Sequence, residues 1–213
     1  MIKMEEKLMK TGTTTLAILC KDGVVVAADR KMTAGYMIAH KKFTKIIQLN
    51  EDMAITIAGM VSEAQLLTKI IRAQLNLDNI RRGRKSTVKE VANLMGSLVY
   101  GNVRKFSPFM SVVGFLLGGR DEKGYHVYNI GIDGSIMELD DYSCDGSGSE
   151  FAIGVLEANY NKDINVDEGV KLAVKSLNSA LQRDAASGSG YDVVTITKDG
   201  FKKVIEKELK LVL

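Results

Sequence analysis

The chain has 213 residues, of which 46% are hydrophobic and 26% are charged; 29 Lys plus Arg stand against 26 Asp plus Glu, a formal charge of +3. This length suits one large domain, and this composition forms a substantial core and excludes an acidic solvating tail. The near-balanced charge makes bulk electrostatic binding of nucleic acid a poor explanation, and two cysteines with two histidines supply neither a closed zinc site nor a disulfide framework.

The sequence shows no targeting or membrane-spanning segment. The first twelve residues mix three lysines with two glutamates and lack an apolar core. No apolar stretch approaches the about 18 residues that a membrane span requires. We therefore expect a cytoplasmic chain that contacts no membrane and holds no metal or cofactor.

Residues 13–59 are predicted to form a sheet. Two β-rich runs, residues 13–20 and 24–29, flank a turn with Asp22-Gly23 and are typical of a hairpin. Three more strand-like runs follow at residues 36–40, 43–49 and 53–59.

Two helices are predicted next. Apolar residues recur at a 3.6-residue spacing between residues 64 and 75, and the helix ends in the basic cluster at residues 81–85, as is usual at a C-terminus. Thr87 and Glu90 form a capping-box pattern that begins the second helix, which runs to about residue 99. A solvated helix end explains the basic cluster better than a nucleic-acid site does, because the overall charge is weak.

The second half of the chain again has strands followed by helices. Strands are predicted at residues 109–118, 125–131 and 135–139, helices at 151–160 and 165–183, and closing strands at 191–197 and 201–206. These elements come in blocks and not in a βαβ alternation, which argues against a Rossmann fold. The block order predicts an α+β fold in which two stacked antiparallel sheets carry a helical layer on each outer face.

Familiar hydrolase and nucleotide-binding motifs are missing, but two charges stand at unusual places. In residues 43–49 a strand alternation puts Lys45 on the same face as apolar neighbours, and Asp29 ends a wholly apolar run. An ammonium and a carboxylate that are both drawn toward the interior could neutralise each other. A snorkelling lysine and a carboxylate that merely begins a turn are the plainer alternative.

Thr13 and Gly59 complete a candidate hydrolytic site. Scission after Gly12 would give Thr13 a free α-amine, and a threonine with its own amine as base needs no histidine. A neighbouring ammonium such as Lys45 would lower the pKa of that amine and favour its neutral form. Gly59, which closes an apolar run before a helix, could turn its N–H toward an oxyanion. Simple β-propensity and an ordinary turn are the alternatives for these two residues.

The order and spacing of seven segments resemble the β-type subunits of the proteasome, in particular the archaeal kind, which are N-terminal nucleophile hydrolases. The likeness extends from Thr11 to about Gly200. It rests on Thr11-Gly12-Thr13-Thr14-Thr15, Ala28-Asp29-Arg30, Lys45, Ile57-Ala58-Gly59, Asp145-Gly146-Ser147-Gly148-Ser149, Val166-Asp167-Glu168-Gly169-Val170 and Arg183-Asp184-Ala185-Ala186-Ser187-Gly188. The resemblance implies the same four-layer αββα sandwich that the block order predicts.

The resemblance also implies roles for particular residues. Thr13 would be the nucleophile, exposed when residues 1–12 are removed as a propeptide from a single domain of residues 13–213. Asp29 and Lys45 would be the charge pair beside it, and Gly59 would donate the oxyanion N–H. The residues implied to hold the Thr13 amine are Ser147, Asp184 and Ser187, and those implied to contact substrate are Met32, Thr33, Ile57 and Val61.

In this family the implied activity is that of a threonine endopeptidase that degrades unfolded proteins and matures by autocleavage, here between Gly12 and Thr13. The implied partners are α subunits and other β subunits in stacked seven-membered rings, with an ATPase acting through the α ring. The apolar candidate pocket predicts cleavage after apolar residues. The chain departs from the family at Ala185, where Ser is frequent, and at Ser62-Glu63, where Gly-Asp is common; neither change removes a catalytic group.

Two other functions stay open. Some relatives lack the nucleophile, so a non-catalytic ring subunit that serves assembly is the main alternative, although the intact candidate positions argue against it. An amidase that acts on a small molecule is the other. A mature N-terminus at Met1 would favour the assembly role, and a monomer with small-amide activity would favour the amidase.

Overall fold

The computed structural model describes residues 12–107 and 112–209. Its strands are β1 (Thr15–Cys20), β2 (Gly23–Asp29), β3 (Met32–Ala34), β4 (Met37–His40), β5 (Ile46–Asn50), β6 (Met53–Gly59), β7 (Val113–Asp121), β8 (Gly124–Ile130), β9 (Ile136–Leu139), β10 (Tyr142–Asp145), β11 (Gly190–Thr197) and β12 (Gly200–Glu208). Its helices are α1 (Val61–Arg82), α2 (Val88–Val103), α3 (Ser149–Asn159) and α4 (Val166–Arg183).

Two five-stranded antiparallel sheets form the centre of the fold. The first has the strand order β10-β1-β2-β11-β12 and the second has the order β5-β6-β7-β8-β9, while β3 and β4 pair separately. The predicted hairpin of β1 and β2 is present, with Thr15 opposite Ala28. Helices α1 and α2 cover the second sheet, and α3 and α4 cover the first. The predicted α+β, four-layer αββα sandwich is confirmed.

Three apolar clusters fill the spaces between these layers. One joins α1 and α2 to the second sheet, and another joins α3 and α4 to the first. The third lies between the two sheets and contains small and β-branched side chains, which let the sheets approach closely. Its fully buried members include Ala17, Val24, Val26, Ala28, Ala54, Leu116 and Val127.

The helix ends confirm the capping patterns in the sequence. The Thr87 hydroxyl accepts from the Glu90 N–H at 3.2 Å, and the Glu90 carboxylate accepts from the Thr87 N–H at 2.9 Å. Two N–H groups at the start of the helix, which have no carbonyl partner within it, are thereby hydrogen-bonded. Asn165 and Glu168 do the same for α4. Among the described residues, no helix is long and apolar enough to cross a bilayer.

Some boundaries differ from the prediction. The short strands β3 and β10 were not predicted, because a run of three or four residues gives only a weak strand signal. Regular strand begins at Ile46, so the alternation used to place Lys45 does not extend to that residue. The described part of the strand predicted at residues 109–118 begins at Val113, and residues 108–111 lie outside the described part of the chain.

The segment that joins α4 to β11 has an unusual backbone. Gly188, Ser189 and Gly190 have successive φ values of 151°, 62° and 124°. The Arg30 N–H lies 3.2 Å from the Gly188 carbonyl oxygen and 3.1 Å from that of Gly190, which holds the segment against the end of β2. A side chain in the left-handed region is strained, and Ser189 is the non-glycine residue among these three.

We therefore expect Ser189→Gly to stabilise the protein. Relief of the left-handed strain outweighs the extra chain entropy of glycine, so the free energy of unfolding should rise by about 0.5–1 kcal/mol. Urea unfolding at a fixed protein concentration measures this change. Ser97→Gly, on the exposed face of α2, is the matched control and should destabilise the protein by about 0.5 kcal/mol. A loss of stability in Ser189→Gly would contradict the interpretation.

Candidate active site

Thr13 lies two residues before β1, at one end of the first sheet, and is buried. Its backbone N–H donates to the Ser147 hydroxyl at 3.2 Å, and its carbonyl oxygen accepts from the Gly148 N–H at 3.2 Å. Its hydroxyl donates to the Gly12 carbonyl oxygen at 2.7 Å. The nitrogen of Thr13 is still part of the peptide bond with Gly12, so this geometry belongs to the uncut chain.

Asp29 and Lys45 form a buried ion pair next to Thr13. The Lys45 Nζ lies 2.6 Å from Asp29 Oδ1, and the two side chains are 2% and 0% exposed. Asp29 Oδ1 also accepts from the Thr14 N–H at 2.9 Å, while Oδ2 accepts from the N–H groups of Lys31 at 3.1 Å and Gly188 at 3.0 Å. The carboxylate therefore has four donors, which compensate for its removal from water.

The Lys45 ammonium also reaches the bond before Thr13. Its Nζ donates to the Gly12 carbonyl oxygen at 3.2 Å, so this oxygen accepts from both Lys45 and the Thr13 hydroxyl. Burial lowers the pKa of Lys45, and the nearby Asp29 carboxylate offsets only part of that effect. A cation at a carbonyl oxygen withdraws electron density from the carbon and favours nucleophilic attack there.

A second polar group lies on the other side of Thr13. Ser147, between β10 and α3, donates its hydroxyl to Asp184 Oδ2 at 2.6 Å. Ser187 donates to the same oxygen at 2.6 Å, and the Ala186 N–H donates to Oδ1 at 3.1 Å. Burial on its own raises the pKa of Asp184, but the Ser147 and Ser187 hydroxyls, the Ala186 N–H and the Lys31 cation together outweigh it, and the net shift is downward. Asp184 is therefore an ionised acceptor that fixes both serines.

Gly59 ends β6 in a conformation that requires glycine. Its φ is 120°, and a Cβ at this position would lie 2.4 Å from the Val112 carbonyl oxygen. The next residue, Met60, donates its N–H to that same oxygen at 2.9 Å. The structure thus gives a steric reason for a glycine here, while its role as an oxyanion donor stays a prediction.

The residues predicted to contact substrate are spread over three elements. Thr33 in β3 is buried, and its hydroxyl accepts from the Gly12 N–H at 2.9 Å, so it already binds the backbone that precedes Thr13. Ile57 in β6 is buried, and its N–H donates to the Lys45 carbonyl oxygen at 3.0 Å. Met32 and Val61 are partly exposed. That the apolar residues form one pocket stays a prediction.

The structure brings Thr13, Asp29, Lys45, Ser147, Asp184 and Ser187 into one connected hydrogen-bond network. Some members of the network were not predicted, among them Gly188 and Thr14. The Gly188 N–H binds Asp29, and the Thr14 hydroxyl lies 2.6 Å from the Ser187 hydroxyl. No pattern could have indicated Thr14, because a threonine inside a threonine run is explained by β-propensity alone.

Comparisons with known proteins identify the family of the chain. A family model described as "Proteasome subunit" matches residues 9–196. "Proteasome subunit beta" of Archaeoglobus fulgidus is 44% identical over 213 residues, which cover 100% of this chain and 98% of the relative. "Proteasome subunit beta" of Ferroglobus placidus is 42% identical, covering 99% and 98%. "Proteasome subunit beta 2" of Pyrococcus furiosus is 40% identical over the whole of both chains.

Removing one partner of the Asp29–Lys45 pair should be strongly destabilising. Lys45→Met leaves Asp29 buried without its counter-charge, and we expect the free energy of unfolding to fall by about 3–5 kcal/mol. Asp29→Asn should have a similar effect. The double variant should lose less than the sum of the two, because neither charge is then left unpaired. Urea unfolding of the four proteins at equal concentration tests this.

The exposed pair of Lys162 and Asp140, 2.8 Å apart, provides the control. Lys162→Met should change the free energy of unfolding far less than Lys45→Met does, because an exposed ion pair is screened by solvent. Equal effects of Lys45→Met and Lys162→Met would contradict the interpretation of the buried pair.

Proposed function

Because this chain belongs to the proteasome subunit family and the relatives reported above are β subunits, we propose that it is a catalytic β subunit of the proteasome core, a threonine endopeptidase that degrades unfolded proteins. The observation that carries the proposal is the Gly12 carbonyl oxygen, which accepts from both the Lys45 ammonium and the Thr13 hydroxyl. A buried cation at a carbonyl oxygen makes the carbonyl carbon more electrophilic, and the hydroxyl held beside the same bond is a nearby nucleophile.

Maturation would remove residues 1–12, of which residues 1–11 lie outside the described part of the chain. The Thr13 oxygen attacks the Gly12 carbonyl carbon, an ester C–O bond forms, the C–N bond breaks, and the hydroxyl proton ends on the released Thr13 amine. The Lys45 ammonium, hydrogen-bonded to the Gly12 oxygen, stabilises the negative charge that develops on that oxygen during the attack. Water then hydrolyses the ester and leaves Gly12 with a terminal carboxylate.

After maturation the freed amine would serve as the base. It accepts the Thr13 hydroxyl proton while the oxygen attacks a substrate carbonyl, and it returns the proton to the leaving amine. The Lys45 ammonium favours the neutral form of this amine, since two cations repel each other. The Gly59 N–H stabilises the oxyanion, and water completes hydrolysis of the acyl-enzyme.

The same proposal implies the partners of the subunit and its substrate preference. The subunit would assemble with α subunits and other β subunits in stacked heptameric rings in the cytoplasm, and receive unfolded chains from an ATPase bound to the α ring. Met32, Ile57 and Val61 would form an apolar wall that contacts the side chain before the scissile bond. Such a wall favours apolar over charged side chains, because a charge would lose its hydration there.

Thr13→Ala tests the nucleophile. In particles purified after co-expression with an α-type subunit, kcat for an apolar fluorogenic peptide should fall at least about 1,000-fold, and intact-mass analysis should show residues 1–12 still attached. Thr13→Ser, which keeps a hydroxyl, is the matched control and should retain activity. Native activity in Thr13→Ala would exclude the proposed mechanism. A native chain that still begins at Met1 in the particles would instead support a non-catalytic subunit that serves assembly.

Val61→Lys tests the proposed substrate wall. A cation there should attract an acidic side chain, and the ratio of kcat/KM for peptides cleaved after Glu to those cleaved after Leu should rise by about tenfold. Ser62→Lys, which places the same charge on the neighbouring exposed position, should leave the ratio within about twofold of the native value. Equal changes in the two variants would mean that Val61 does not contact the substrate side chain.

A further inference from the structure

We propose that the Thr14 hydroxyl is a positioning group of the active site, which holds the Ser187 hydroxyl against Asp184 and thereby keeps that carboxylate in the orientation that fixes Ser147 and the Thr13 amine. This inference rests on the proposed threonine peptidase function. It concerns a residue outside the nucleophile, the ion pair and the two serines. Thr14 touches none of the reacting atoms and acts only through Ser187 and Asp184.

The proton count around Ser187 fixes what Thr14 does. Thr14 is 0% exposed, so its hydroxyl has no access to water, and its Oγ1 lies 2.6 Å from the Ser187 Oγ. The Ser187 hydroxyl in turn lies 2.6 Å from Asp184 Oδ2, an ionised oxygen that can only accept. Ser187 has one proton, and it must go to Asp184. The Thr14 hydroxyl is therefore the donor to Ser187, and this donor holds Ser187 in place.

The same oxygen of Asp184 also sets the orientation of Ser147. The Ser147 hydroxyl has two acceptors within reach, Asp184 Oδ2 at 2.6 Å and the Thr13 carbonyl oxygen at 3.3 Å. It gives its single proton to the nearer, charged oxygen, which leaves a lone pair directed at the Thr13 N–H at 3.2 Å. When scission turns the Thr13 nitrogen into an amine, an N–H held by Ser147 leaves the nitrogen lone pair for the hydroxyl proton. A rotated Asp184 carboxylate would release Ser147 to donate to the amine, and the base would be lost.

The Thr14 hydroxyl fits in its position because residue 148 is a glycine. A Cβ at Gly148 would lie 2.0 Å from Thr14 Oγ1, so the hydroxyl occupies a position that only glycine leaves open. The backbone of Thr14 is fixed as well, since its N–H donates to Asp29 Oδ1 at 2.9 Å and its carbonyl oxygen accepts from the Asp29 N–H at 3.0 Å. Thr14 thus connects the ion pair on one side of Thr13 with Asp184 on the other.

The neighbouring Thr15 provides a matched control. It is also 0% exposed, and its hydroxyl lies 3.4 Å from the Asp145 carbonyl oxygen, a long contact to backbone. Thr15→Val and Thr14→Val each replace a buried hydroxyl by a methyl group on adjacent residues. They differ in whether the lost hydroxyl belongs to the Asp184 network.

The experiment compares Thr14→Val, Thr14→Ser and Thr15→Val in purified particles, with an apolar fluorogenic peptide as substrate. Rates are expressed per chain that begins at Thr13, as counted by intact-mass analysis, so that impaired maturation is separated from impaired catalysis. We expect Thr14→Val to lower kcat by about 10- to 100-fold with KM within about twofold. Thr14→Ser should restore most of the loss, and Thr15→Val should stay within about twofold of native kcat.

A double-mutant cycle shows whether Thr14 acts through Ser187. If it does, Thr14→Val should reduce kcat no further in a Ser187→Ala background. A kcat per processed chain within about twofold of native in Thr14→Val, or multiplicative losses in the double variant, would overturn the proposal. If Thr14→Val does not assemble, Thr14→Ala removes the same hydroxyl and takes its place. Failure of the peptidase function itself is seen separately, as native activity in Thr13→Ala.

Discussion

The ion pair between Asp29 and Lys45 is the interaction on which the site depends. Each charge is fully withdrawn from water, and such burial is tolerable only when every lone pair and proton finds a partner. Asp29 has four donors, three of them backbone N–H groups, so the carboxylate also fixes the chain at Thr14, Lys31 and Gly188. Any shift of these segments would leave a buried charge unsatisfied. The rigidity of the site thus follows from the cost of unpaired charge.

The fold explains how the two charges come to meet. Asp29 ends β2 in the first sheet, whereas Lys45 precedes β5, and its carbonyl oxygen accepts from Ile57 in the second sheet. The pair therefore connects the two stacked sheets at the end where Thr13 lies. The small side chains between the sheets bring the layers close enough for one lysine to span them. The close packing of the two sheets is therefore required for Asp29 and Lys45 to meet beside Thr13.

Much of the fold could be predicted from the sequence because its signals are local. The capping boxes at Thr87 and Asn165 and the turn before Gly23 each depend on a few neighbouring residues, and the structure has all three. The Asp29–Lys45 pairing was also anticipated, although Lys45 lies before the strand whose alternation suggested it. The Thr14–Ser187 contact joins residues 173 positions apart. Nothing local in a threonine run indicates such a partner, so only the folded chain reveals it.

Scission between Gly12 and Thr13 would change few of the hydrogen bonds around Thr13. In the uncut chain the Thr13 nitrogen already donates to Ser147, and Lys45 already lies beside the bond that would break. The cut would remove one acceptor from Lys45, the Gly12 oxygen, and would place the new amine in the same space. The Lys45 ammonium, still paired with Asp29, disfavours a second positive charge on the nitrogen beside it. Removal of the leader would therefore both expose the base and shift it toward its neutral, proton-accepting form.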